Sequence, residues 1–182
     1  MILELLSNWP TPKKTKILMI ISIILLVIIY PLLMYFFSIS EYPVSFLESQ
    51  LSFSGTKIKS HYATMSDNGI NLYIIANILD YGFMLSYGLL IFTLALLLAR
   101  KFEKSSIWMI SGFIMALFGI VAACCDGIEN LFILLMANDP IGFPNFWAII
   151  HSIFALIKYI LMIIAISWII IATISRLIKR FR

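Results

Sequence analysis

The sequence predicts an all-α integral membrane protein, a bundle of four transmembrane helices, and three observations predict it. The 182-residue chain is 62% hydrophobic and only 12% charged, with mean hydropathy +1.03; a soluble domain carries about 25% charged residues. Four apolar stretches lie at about 17–38, 69–99, 106–136 and 145–175, each long enough to cross a bilayer, which takes about 20 residues. Lys and Arg gather at alternate ends of these stretches. The whole of 1–182 reads as one membrane domain, because the longest non-apolar segment, about 39–68, is too short for a soluble one.

Taken in order, Met1–Lys16 reads as an interfacial lead, with Ile2, Leu5, Leu6 and Trp9 on the membrane surface ahead of Pro10 and Pro12. Span 1 follows Lys13, Lys14 and Lys16. It is longer than a signal-peptide core and has no A-x-A-like site after it, so it reads as a retained span, with Pro31 as a kink. The polar segment 39–68 comes next. Spans 2, 3 and 4 have about 31 residues each, or ~46 Å of helix, so they tilt or project beyond the hydrocarbon. Their outer turns are apolar, at Ile74, Ile75 and Ile78, at Leu131–Met136 and at Phe146–Ile150. The 39–68 segment is the expected cover, through Phe46, Leu47, Leu51 and Phe53. Asn138 to Pro144 is dense in turn residues and joins spans 3 and 4.

Loop charge gives the orientation. With the N-terminus inside, the cytoplasmic side holds Lys13, Lys14, Lys16, Arg100, Lys101, Lys104, Arg176, Lys179, Arg180 and Arg182, against Lys57 and Lys59 outside. Ten against two predicts a multi-pass cell-membrane protein with both termini cytoplasmic and 39–68 extracytoplasmic. The tail from Arg176 to Arg182 reads as an anchor at anionic headgroups. The net charge of +4 sits at helix ends with no basic stripe, which argues against a nucleic-acid partner. Cys124 and Cys125 are adjacent in an apolar helix, where neighbouring Cβ atoms diverge and an ordinary disulfide is disfavoured; they read as small buried apolar residues.

Against this background the intramembrane charges stand out. Asp80 lies 20 residues before Arg100, Asp126 and Glu129 lie 20 and 23 after Ser106, and Lys158 lies 18 before Arg176. Each such group costs at least ~2.5–3.5 kcal/mol at a helix centre, so it faces a bundle interior or marks a site. Similar distances from the basic ends place them in one layer. Helical spacing gives the faces: Tyr73, Asn77, Asp80, Met84 and Tyr87 on span 2; Gly112, Ala116, Gly119, Ala123, Asp126 and Asn130 on span 3, with Glu129 beside them; Trp147, His151, Ala155, Lys158 and Met162 on span 4. The small residues on span 3 permit close helix approach.

The chemistry of this layer admits several roles. Close carboxylates form an acid/base pair. Asp80, Asp126 and Glu129 are candidate ligands of a divalent metal. Carboxylates beside a lysine can also pass a proton or cation. The plainer reading is that Lys158 pairs with Asp80 or Asp126 and locks the bundle. His151 is then an interfacial residue, Tyr73 and Tyr87 are interhelical hydrogen-bonders, Trp9 and Trp147 are belt residues, and His61 has no identifiable partner. No H-E-x-x-H, G-x-S-x-G, S-x-x-K or Walker sequence is present.

Asp80-Tyr81-Gly82-Phe83 through Tyr87-Gly88, then Asp126-Gly127-Ile128-Glu129-Asn130, then Lys158, read as D-x6-Y-G, D-x-x-E-N and a lone lysine. This pattern, over about residues 45–165, resembles one in small multi-spanning microbial membrane proteins, and the resemblance brings no activity with it. In layout alone, four spans with intramembrane carboxylates are similar to the sterol-isomerase and sigma-2-receptor group.

Three functional classes follow. In the first, a polar outer-leaflet pocket binds or modifies a lipid-like or small hydrophobic molecule. Asp80, Asp126 and Glu129 are then acid/base groups or metal ligands, Lys158 orients a carboxylate, and Asn130 positions the ligand, with Asn77, Tyr73, Tyr87 and His151 as further binding residues. In the second, the chain is a proton- or ion-coupled carrier or channel subunit. Four helices rarely enclose a pathway alone, so this reading requires a homo-oligomer. In the third, it is a structural or assembly subunit whose charges are helix locks. The sequence favours the first.

Overall fold

The computed structural model describes residues 2–181, and side chains over 4–178; the side chains of Ile2, Lys179, Arg180 and Arg182, named above, lie outside the described residues. Every element is helical: α1 (Ile2–Asn8), α2 (Pro12–Ile39), α3 (Phe46–Gln50), α4 (Gly55–Ala63), α5 (Asp67–Ala99), α6 (Ile107–Asn138) and α7 (Asn145–Phe181). Among the described residues, four helices (α2, α5, α6 and α7) are long and apolar enough to cross a membrane.

The helix starts are written in the sequence. Thr11, Ser45, Ser54, Ser66 and Ser106 each sit at an N-cap, and each hydroxyl accepts from the backbone N–H three residues on, satisfying a donor with no partner inside the helix. The cap at Thr11, followed by Pro12 in the first turn, starts α2 five residues before the apolar run, so Lys13, Lys14 and Lys16 are helical rather than part of a lead. The helix runs through Pro31 without interruption. Leu6 is also not a surface residue. It is 5% exposed in the core with Phe113 and Leu96, while Leu5 and Trp9 stay outside. The Arg100 side chain donates twice to the Leu6 carbonyl, at 3.0 and 2.7 Å, and ties α1 to the end of α5.

The four long helices form a bent row in which α2 packs on α5, α5 on α6 and α6 on α7, while α5 barely meets α7 and α2 has no substantial contact with α7. Neighbours run antiparallel: Arg100 of α5 reaches Thr15 of α2 at one end, and Gly69 of α5 lies against the Ser40 carbonyl at the other. The α5–α6 crossing is set by glycine. A Cβ on Gly88 would stand 2.7 Å from Ala123 Cβ, and one on Gly119 would stand 3.0 Å from the Gly88 carbonyl oxygen. The expected small-residue face of span 3 is this contact. Cys124 is exposed while Cys125 is buried, both as free thiols, so only one of the pair is the buried filler expected.

Residues 40–66 cap one end of the row; of the residues expected to do so, Phe46 packs, stacking on Phe37, while Leu47 and Phe53 do not. Leu47 and Phe53 are 55% and 41% exposed; the rest of the packing is done by Tyr42, Ile58 and Tyr62 against Tyr73, Ile133, Met136, Phe143 and Ala148. Tyr42 stacks on Tyr73, with centroids 4.5 Å apart. The outer faces of the long helices at this level remain uncovered, with Ile75, Ile78, Leu131, Leu135, Phe146 and Ile149 all exposed.

The cap holds a titratable group. His61 Nδ1 is 3.3 Å from Tyr42 Oη, which is 2.8 Å from Ser49 Oγ. A neutral imidazole accepting from Tyr42, which accepts from Ser49, satisfies all three groups. Burial first, and the Lys57 charge second, hold His61 below the usual histidine range, against a smaller opposing pull from Glu48. Burial likewise pushes the Tyr42 hydroxyl up to about 12. A base held low in the fold takes its proton more readily when released, so cap stability is present above about pH 6.5, the free histidine value, and lost progressively as pH falls below it through the lower value held in the fold. Hydrogen-exchange protection of α4 is expected to weaken on acidification in the wild type and to become pH-insensitive in His61→Gln. Protection in the wild type that is unchanged across that range would contradict this.

Candidate functional site

The ionisable residues of the three spans do meet. On α6, Asp126, Glu129 and Asn130 occupy one turn of one face; on α5, Asp80 and Tyr87 lie two turns apart, as do His151 and Lys158 on α7, so each helix presents its groups to the same level. Asn130 Nδ2 donates to Asp80 Oδ2 at 2.8 Å. Asp126 accepts from the Tyr87 hydroxyl on Oδ2 at 2.8 Å and from Lys158 Nζ on Oδ1 at 2.9 Å. The Lys158 ammonium also lies 2.6 Å from Glu129 Oε2, and Glu129 Oε1 is 3.7 Å from His151 Nε2.

No member of this cluster is more than 8% exposed, which excludes a set of solvated interfacial charges. Lys158 does lock helices, but through Asp126 and Glu129 rather than Asp80. His151 is buried within the protein rather than at its surface: at 1% exposure it faces Glu129. Among the described residues, neither nitrogen of His151 nor Asn130 Oδ1 has a hydrogen-bond partner, and the Glu129 oxygens are held by their contacts with Lys158 and His151.

Two of the residues named from the sequence lie apart. Asn77 turns back to donate to the Tyr73 carbonyl of its own helix at 2.7 Å, and Tyr73 belongs to the aromatic cap. The divalent-metal reading of Asp80, Asp126 and Glu129 finds no geometric support. Among the described residues no three His, Cys, Asp or Glu side chains converge as a metal-binding group, and the Lys158 ammonium already bridges Asp126 and Glu129.

Beside the cluster lies a cavity of about 390 Å³ with Asp80, Tyr87, Asp126 and Lys158 at its polar side. Leu33 and Met34 of α2, Phe83 of α5 and Met162 of α7 form apolar walls. It occupies the gap left where α2 and α7 fail to meet. Helix α3 bridges that gap at the capped end. Phe46 stacks on Phe37 of α2 with centroids 3.6 Å apart, and the Tyr159 hydroxyl of α7 donates to Gln50 Oε1. Glu129, Asn130 and His151 lie behind the polar wall and not on the cavity surface. A larger cavity, about 640 Å³, opens at the basic end beside Arg100 and Lys104. Arg100 there is committed to the Leu6 carbonyl, and no buried charge cluster adjoins it.

Sequence reasoning missed Tyr30, Gln50 and Tyr159. Tyr159 follows Lys158 directly, so it leaves the polar stripe by about 100° of helix rotation and looks lipid-facing on any wheel. Tyr30 sits in a span with no charge to draw attention to it.

The fold and site define a small all-helical protein with four membrane-length helices and a buried ion cluster beside a side-opening cavity. No family model, curated protein or solved structure matches the chain.

Proposed function

We propose that the protein is a multi-pass membrane protein that binds a lipid-like or small hydrophobic molecule in the cavity between α2 and α7. The observation that carries this is the gap itself: a cavity with apolar walls and a polar side opens between two helices that do not pack on each other. In a bilayer such an opening faces acyl chains, so an apolar molecule reaches it without crossing water. Small-molecule sites share this composition, mostly apolar with a few convergent polar groups. The Lys and Arg distribution supports cytoplasmic termini with α3 and α4 outside, and so a cavity in the outer half of the bilayer. The exposed apolar collar of Ile78, Leu131, Leu135 and Ile149 at the capped end supports lipid contact at and beyond the level of the polar cluster.

The helix-lock reading is favoured by one feature, the saturation of Lys158 by two carboxylates. The two are compatible, since a locked cluster is a rigid floor for a ligand.

Native mass spectrometry of protein released in a mild detergent tests the proposal. The wild type is expected to retain a lipid-sized adduct. Met162→Trp, which fills the cavity without replacing any charged group, is expected to lose it while remaining folded. A bare wild type, or an adduct equally retained by the filled variant, would sink the proposal.

A further inference from the structure

The charge around the cavity is unbalanced in a way that selects its occupant. One ammonium, Lys158, stands among three carboxylates, Asp80, Asp126 and Glu129. It is spent on two of them, at 2.9 Å from Asp126 and 2.6 Å from Glu129. Asp126 is saturated, with Lys158 on one oxygen and Tyr87 on the other. Asp80 differs. Its one side-chain hydrogen bond, from Asn130, falls on Oδ2, and among the described residues no donor reaches Oδ1. Asp80 also lines the cavity. It is the carboxylate of the cluster that faces the cavity without a cation.

The wall beside it is aromatic. Tyr30 of α2 lies against Phe83 of α5 with centroids 5.7 Å apart, and Phe83 against Tyr87 with centroids 5.4 Å apart. Ring faces beside an unpaired carboxylate recognise organic cations by cation–π attraction joined to charge pairing. An anionic headgroup would meet two cavity-facing carboxylates, Asp80 and Asp126, and an ammonium already engaged; a neutral one could hydrogen-bond Asp80 but would leave its charge without a counter-ion in an apolar surrounding, which is costly. The opening between α2 and α7 requires in addition a tail that lies in lipid.

We infer that the occupant is a cationic amphiphile, an aliphatic amine whose protonated nitrogen pairs with Asp80 against the Tyr30–Phe83–Tyr87 wall while its tail leaves between α2 and α7. This rests on the cavity reading above and names its ligand class. Selectivity then comes from charge as well as shape: with one ammonium among three carboxylates the cluster repels anions, and a bound amine reduces its excess negative charge.

The test compares three probes of one chain length, dodecylamine, dodecanol and dodecanoic acid, titrated into the full-length protein in neutral detergent near pH 7 and read by native mass spectrometry. The wild type is expected to bind the amine at least about tenfold more tightly than the other two. Asp80→Asn is expected to weaken amine binding roughly 10- to 100-fold, the range for a charged hydrogen bond, with dodecanol unchanged. Asp80→Glu should keep the preference. If Asp80→Asn does not fold, Tyr30→Leu decides instead, because loss of the ring should weaken the amine alone. Dodecanol or dodecanoic acid binding as tightly as the amine, or amine affinity indifferent to both variants, would overturn the inference while leaving the cavity reading intact. Failure of all three probes to bind the wild type would overturn both.

Discussion

Lys158→Met is expected to destabilise the protein by about 3–5 kcal/mol, the usual cost of removing one partner from a buried ion pair. The size follows from where the lysine sits. Its ammonium lies within 3 Å of both Asp126 and Glu129, whose exposures are 2% and 0%. The methionine fills the volume but leaves two buried carboxylates near each other without a cation. The loss is expected to be recovered largely in the triple variant Lys158→Met/Asp126→Asn/Glu129→Gln, which removes the stranded charge along with the lysine. Thermal unfolding in mild detergent measures both. A Lys158→Met protein as stable as wild type would show that the three groups do not meet. A triple variant no better than the single one would show that the lysine acts by packing.

The second large effect is expected at the α5–α6 crossing. Gly119→Leu places a side chain where a Cβ alone would stand 2.8 Å from Ile91 Cγ2 and 3.0 Å from the Gly88 carbonyl oxygen. The side chain of Ile91 can shift; the backbone of α5 yields only by moving the helix. Overpacking of a buried contact costs roughly 1–3 kcal/mol. Here it also separates Tyr87 from Asp126 and Asp80 from Asn130, which are paired across the same two helices. Gly119→Leu should therefore lower both stability and adduct retention, whereas Ile120→Leu, one residue on and facing outward at 36% exposure, should change neither. Equal behaviour of the two variants in thermal unfolding would contradict the close crossing.

Much of this was legible in the sequence, for a physical reason. In lipid the charged and small residues carry the information, because each is costly or useless unless it faces another helix. Asp80, Asp126, Glu129 and Lys158 could be placed in one layer by counting from the basic ends, and Gly112, Ala116, Gly119 and Ala123 marked the helix contact. Large apolar residues carry little, because lipid is as apolar as a protein core. Of Phe46, Leu47, Leu51 and Phe53, Phe46 packs on Phe37 while Leu47 and Phe53 stay exposed, and the buried cap is built from Ile58 with Tyr42 and Tyr62, whose hydroxyls and rings need partners that leucine does not. The same indifference hid the cavity. It arises where α2 and α7 make no substantial contact, and no residue pattern encodes a helix pair that fails to pack. The burial of His151 against Glu129 was not legible, because a histidine near a span end is stable exposed or inside, and its facing partner is 22 residues away in sequence.

The central claim is that an amphiphile fills a side-opening cavity over a buried ion cluster. A structure of the wild-type protein in lipid nanodiscs, determined by electron cryomicroscopy with a rigid binder for alignment, tests it most directly. The account predicts elongated non-protein density between α2 and α7, with one end against Asp80 beneath α3, and Lys158 held between Asp126 and Glu129. A closed α2–α7 contact with no density between them would contradict it.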